Sequence, residues 1–221
     1  MRTMTKTIVA LGVVAFLATP AMAQQGRGGG RGFGGGAAFL VGNASVQQEL
    51  KLDAGQIEKA KAVADKAREK FTAARESLQS LEGEERAKKQ RELAAEVNAD
   101  THKAVKEFMK PEQVKRLYQI THQVQGAQAF TDEHVQKHLK LTDAQKSDIE
   151  GIVTASGQEM RKIFQENQGD REAIGAKMTE LRKETLAKVE AKLTDEQKAS
   201  YKEMLGAPFE VKFEPRPGGG N

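Results

Sequence analysis

Residues 135–145 read VQKHLKLTDAQ, and residues 46–56 read VQQELKLDAGQ. The two stretches align without a gap. A related pair closes each half of the chain, FMKPEQVKRLYQ at 108–119 and AKLTDEQKASYKE at 191–203, aligned with a small offset. A pattern met four times in two equivalent settings reads as an internal duplication. Each half is expected to contain a short helix, two long helices and a terminal helix.

The repeated element reads as a helix start signal. In LTDEQ, Thr194 stands at the N-cap, with its hydroxyl placed to accept from the backbone N–H of Gln197. The Gln197 side chain can reach back to the Thr194 N–H, and Asp195 and Glu196 put negative charge in the first turn. The other copies vary as a cap allows. Asp53 replaces Thr in LDAGQ, and Pro111 takes the first helical position of MKPEQ, where its missing N–H costs nothing. Lys110 is a poor cap, so that copy is the weakest. Leu52 with Ile57, and Met109 with Val114, fit a hydrophobic staple.

Between these starts the apolar positions fall at helical spacing. Ile57, Ala60, Ala64, Ala67, Phe71, Ala74, Leu78 and Leu81 alternate steps of three and four, the seam of a long helix packed lengthwise. Gly83 offers a break, and Leu93, Val97, Thr101, Val105 and Phe108 mark the return helix. In the second half Ile149, Ile152, Met160 and Ile163 run out, and Ile174, Met178, Leu181 and Val189 run back after NQGD. The expected fold is all-α: two tandem helical-hairpin repeats of long antiparallel helices. With few aromatics per half, each core is thin, and burial of one half on the other or on a second chain is expected. Alternating Phe209, Val211 and Phe213 in PFEVKF are the one strand-like signal outside the leader.

The ends differ in composition. Arg2 and Lys6 precede an apolar run from Ile8 to Ala18, and Ala21-Met22-Ala23 is a signal-peptidase pattern, so export and cleavage before Gln24 are expected. GRGGGRGFGGG at 26–36 reads as a flexible spacer, and EPRPGGGN at 214–221 as a non-helical tail. The organisation is therefore 1–23 signal peptide, 24–42 glycine-rich linker, 43–128 first repeat, 129–207 second repeat and 208–221 extended tail. Deletion of 24–42 is expected to matter little.

Taking Arg2 and Lys6 from the 35 basic residues leaves 33 against 31 acidic ones, too balanced and interleaved for a nucleic-acid surface. The absence of Cys excludes disulfides, thiolate metal sites and c-type haem attachment.

The leader, the Ala/Gln/Lys-rich helices and the recurring Leu-Thr-x-x-Gln element together resemble the LTxxQ-motif, Spy/CpxP-like family of exported bacterial envelope proteins. LTDAQ and LTDEQ are complete motifs, and LDAGQ and MKPEQ partial ones. The resemblance implies a periplasmic, all-helical, often dimeric protein that acts as an ATP-independent chaperone or stress modulator. This chain carries two such units in tandem, so its second half can stand in a partner's place.

Chemistry is expected to be absent. The histidines are His102, His122, His134 and His138, of which His134 and His138 are spaced i, i+4 beside Asp132 and Glu133. Two imidazoles fall short of the three or four ligands zinc takes, and solvated polar residues are the preferred reading. No hydrolase, zinc-protease or nucleotide-loop motif occurs. No catalytic, cofactor-binding or metal-ligating residue and no cofactor are thus expected. Function is expected to be a holdase-like chaperone for unfolded or envelope proteins, periplasmic or extracellular. A metal-responsive envelope sensor using His134 and His138 and a scaffolding module are the alternatives.

Overall fold

The computed structural model describes residues 36–213, all helix, turn and loop with no strand among them. The expected signal peptide, nearly all of the glycine-rich run and the EPRPGGGN tail lie outside the described residues. The helices are α1 (Ala37–Leu40), α2 (Ala44–Glu49), α3 (Ala54–Ala73), α4 (Arg75–Gln79), α5 (Gly83–Phe108), α6 (Pro111–Gln125), α7 (Glu133–His138), α8 (Asp143–Glu166), α9 (Arg171–Glu190) and α10 (Asp195–Leu205), with a 3₁₀ segment at Gly126–Thr131 between α6 and α7.

The two aligned stretches share their local geometry. Asn43 caps α2 and Asp132 caps α7, each through its side chain. Each short helix then stops at the same residue type. Lys51 (φ 52°) and Lys140 (φ 51°) adopt the left-handed conformation. Leu52 N–H donates to Gln47 O at 3.1 Å and Leu141 N–H to Gln136 O at 3.0 Å, with Lys51 and Lys140 bonding back to Gln48 O and Lys137 O. This is a Schellman stop with lysine where glycine usually stands. It is followed at once by the caps of Asp53 and Thr142. LKL therefore ends one helix and the next four residues start another, so seven residues encode a corner.

Each corner anchors a small core. In the first repeat Leu40, Val41, Val46, Val105, Leu117 and Ile120 are fully buried. In the second, Phe130, Val135, Ile149 and Val189 are, with Tyr201 against Phe130 at 4.3 Å between ring centres. At roughly 1.5–3 kcal/mol for each fully buried large side chain, these clusters outweigh the exposed ion pairs that decorate the helices. From each core a two-helix hairpin projects, α3 and α4 with α5, and α8 with α9. The 24 residues of α8 make it about 36 Å long. The repeats meet through α6 packed on α10.

Three expectations change. Residues 37–42 are not spacer: Ala37, Ala38, Leu40 and Val41 are buried, and α1 packs on α3, α5 and α6. Deleting 24–42 removes part of the first core. The equivalent place before α7 is taken by the 3₁₀ segment, with Ala129 and Phe130 fully buried. The first outgoing helix is also not continuous, since α3 ends at Ala73 and α4 follows as one short turn before the break at 80–82.

Candidate functional site

The motif glutamines do more than cap. Gln145 Oε1 accepts from the Thr142 N–H at 3.0 Å, the expected return bond, and Gln197 Oε1 does the same for Thr194 at 2.9 Å. The other end of each amide reaches across the hairpin. Gln145 Nε2 donates to Lys192 O at 2.8 Å and to Gln197 Oε1 at 2.7 Å, while Gln197 Nε2 donates to Leu139 O at 3.2 Å. The first repeat repeats the pattern: Gln56 Nε2 donates to Phe108 O (2.8 Å) and Gln113 Oε1 (2.9 Å), and buried Gln113 Nε2 donates to Leu50 O (3.0 Å). Lys110 has no acceptor to offer, so α6 keeps only the return bond from Gln113. The glutamine pair locks two helix starts together, a structural role.

His102, His122 and His134 gather around Tyr118 where α5, α6 and α7 meet. His102 on α5 lies 5.1 Å from the Tyr118 ring on α6 and 5.9 Å from the His134 ring on α7. Tyr118 lies 6.3 Å from His122. The Nδ1 of His122 is buried without a hydrogen-bond partner. Burial holds His102 below the ordinary histidine pKa, helped by Lys106 and His134 and opposed by Asp132. Burial likewise lowers His122, with Asp132 opposing and His138 reinforcing. Burial also pushes the Tyr118 hydroxyl up. His134 thus faces His102 across that junction. Among the described residues no group of three or more His, Asp or Glu side chains is placed to hold a metal ion.

Two further surfaces stand out. The hairpins run side by side, joined by the exposed Arg91–Glu150 pair at 3.1 Å, and enclose a cleft of about 490 Å³ lined by Glu82, Gly83, Arg86, Gln90 and Arg161. Along the outer part of the second hairpin Met160, Phe164 and Leu181 are only half-buried around Ile163, Ile174 and Met178. Residues 206–213 run back from α10 over the first repeat. They are extended as PFEVKF implied, yet they pair with side chains and not with a strand. Gln123 Oε1 accepts from Phe209 N–H at 2.9 Å, and Ser45 Oγ accepts from Lys212 N–H at 3.0 Å. Arg116 and Gln123 donate to Ala207 O at 2.7 and 2.9 Å, and Asn43 Nδ2 donates to Lys212 O at 2.8 Å.

These features define a class: an all-α protein whose described residues include long paired helices, an open cleft and an extended segment bound to the chain's own helices. Comparison with protein-family models, with curated proteins and with solved structures gives no match. No helix among the described residues is long and apolar enough to cross a membrane.

Proposed function

We propose that this chain is an exported, non-enzymatic protein of the LTxxQ-motif type that binds unfolded polypeptides without ATP and slows their aggregation in the bacterial envelope. The observation that carries the reading is the pair of hairpins. Each is built mainly from two long antiparallel helices, α3 with α5 and α8 with α9. Half-buried Met160, Phe164 and Leu181 pack against Ile163, Ile174 and Met178 and keep part of their apolar surface in solvent, and the cleft lined by Arg161 also carries Arg86. Scattered small apolar contacts with flexible charges suit weak binding to many sequences, and Met adapts to irregular partners. The leader at 1–23 supports export. Two fused halves supply within one chain the two arms that a dimer otherwise brings together.

The test is light scattering of several chemically different unfolding clients, with the purified chain lacking residues 1–23 and no nucleotide. Slower aggregation at equimolar ratio is expected, weakening as salt screens the charged contribution. No protection of any client contradicts the proposal and leaves a scaffolding role.

A further inference from the structure

The segment from Gly206 to Phe213 is held in a way that resembles a captured peptide more than a piece of core. Every hydrogen bond it receives from the first repeat goes to its backbone. Arg116, Gln123 and Asn43 donate to carbonyls of Leu205, Ala207 and Lys212, and Gln123 and Ser45 accept from the N–H groups of Phe209 and Lys212. Side chains enter only at alternate positions: Phe209 and Val211 pack against the first core, and Phe209 lies under the Arg116 guanidinium, 5.9 Å from its ring centre. Both remain half-buried, and Phe213 beyond them is 40% exposed. The groove is not filled, since a cavity of about 260 Å³ remains between the segment and α2, bordered by Ser45, Gln48 and Glu49.

The reading residues are themselves fixed in place. Arg116 is paired with Glu49 at 2.7 Å, both side chains half-buried. Asn43 uses its oxygen to cap α2 at Val46 N–H and so has its amide nitrogen left for Lys212 O. The second repeat does not reproduce this device. At the positions of Asn43, Ser45 and Glu49 it carries Asp132, His134 and His138, and Asp132 has no donor for a carbonyl. The groove is therefore specific to the first repeat and is not a by-product of the duplicated fold.

We propose that the groove between α2 and α6 is a binding site for extended polypeptide bearing two apolar side chains at i and i+2, and that residues 207–213 occupy it as a built-in competitor. Backbone reading makes the site tolerant of sequence, and alternate-residue anchoring selects extended over helical segments, as in other extended-peptide recognition. Because the competitor is tethered, it acts at an effective concentration in the millimolar range, so only clients with several such segments displace it. The proposal rests on the polypeptide-binding reading above and adds where one client segment docks and what regulates access.

The test uses the full chain without its leader, as the parent form and as F209D/V211D, with a fluorescent peptide of sequence APFEVKF. Anisotropy should show the peptide binding the F209D/V211D chain about tenfold or more tightly than the parent chain, whose own segment competes. A peptide carrying Asp at both apolar positions should not bind, and adding Gln123→Ala to the open variant should weaken binding. Equal binding to parent and open chains, or none to an open chain that melts cooperatively, overturns the proposal. So does loss of cooperative melting in F209D/V211D, because the segment would then be core. Client protection is measured on the same samples. Protection without peptide binding discards the groove and keeps the proposed function, and peptide binding without protection does the reverse.

Discussion

Replacing Gln113 by Glu separates two readings of the motif. For a capping box alone, Glu serves as well as Gln, because one side-chain oxygen returns to the N-cap N–H in both. The structure gives Gln113 a second task. Its Nε2 donates to the buried carbonyl of Leu50 at 3.0 Å, while its Oε1 is used by Lys110 N–H and by Gln56. A carboxylate keeps the second set and turns an oxygen toward Leu50 O. Losing a donor to a buried carbonyl costs about 1–3 kcal/mol, and the desolvated charge adds to it. We expect Gln113→Glu to lose about 2–3 kcal/mol at pH 8, a fall in Tm of roughly 5–10 °C for a chain of this size. Protonation restores a donor, so the folded form raises the new carboxyl's pKa. A raised acid binds more protons folded than unfolded, so the deficit shrinks as pH falls toward 5. Guanidinium denaturation of both chains at pH 8 and pH 5 provides the measurement. A change within about 0.5 kcal/mol at pH 8 refutes the bridge and leaves only the cap.

Thr194→Ala should cost about 1 kcal/mol, the usual loss for an N-cap hydroxyl, with client protection intact when both are compared below the melting range. Lys140→Gly should be neutral or stabilising by up to about 1 kcal/mol in thermal melts, because φ at this corner lies in the left-handed region. Gly42→Ala should destabilise by about 1–3 kcal/mol, since a Cβ there lies 2.8 Å from Ala64 Cβ on α3. Burial lowers the pKa of His102 and His122 in the fold, so the unfolded chain takes up their protons first. Stability should therefore fall as pH drops through the unfolded value near 6.5, and a His122→Phe chain should show a shallower fall in denaturant midpoint between pH 7.5 and 5.5.

What the sequence disclosed follows from what is local. Caps at Asp53, Thr142 and Thr194, the hairpin break near Gly83 and the apolar seams are set within one or two turns, and each stands where residue type alone puts it. Helix α1 was hidden because AAFLV abuts the glycine run, although five consecutive apolar residues were its signal. The break after Ala73 has no Gly or Pro to announce it. The glutamine bridge was invisible for another reason: a capping box already explains the Gln locally, and only the hairpin reveals its second partner. Likewise His102, His122 and His134 meet because three helices converge, which no spacing along the chain encodes. PFEVKF was legible as extended, but its partners, Asn43, Ser45 and Gln123, lie far away in sequence.

We propose that this chain recognises unfolded polypeptide through preformed surfaces and without nucleotide. Direct titration of one labelled client, held permanently unfolded in one sample and native in the other, tests it without relying on aggregation. Saturable binding of the unfolded form is expected in nucleotide-free buffer, weakened by salt, with little binding of the native form. Equal affinity for both forms, or no binding of the unfolded one, contradicts it.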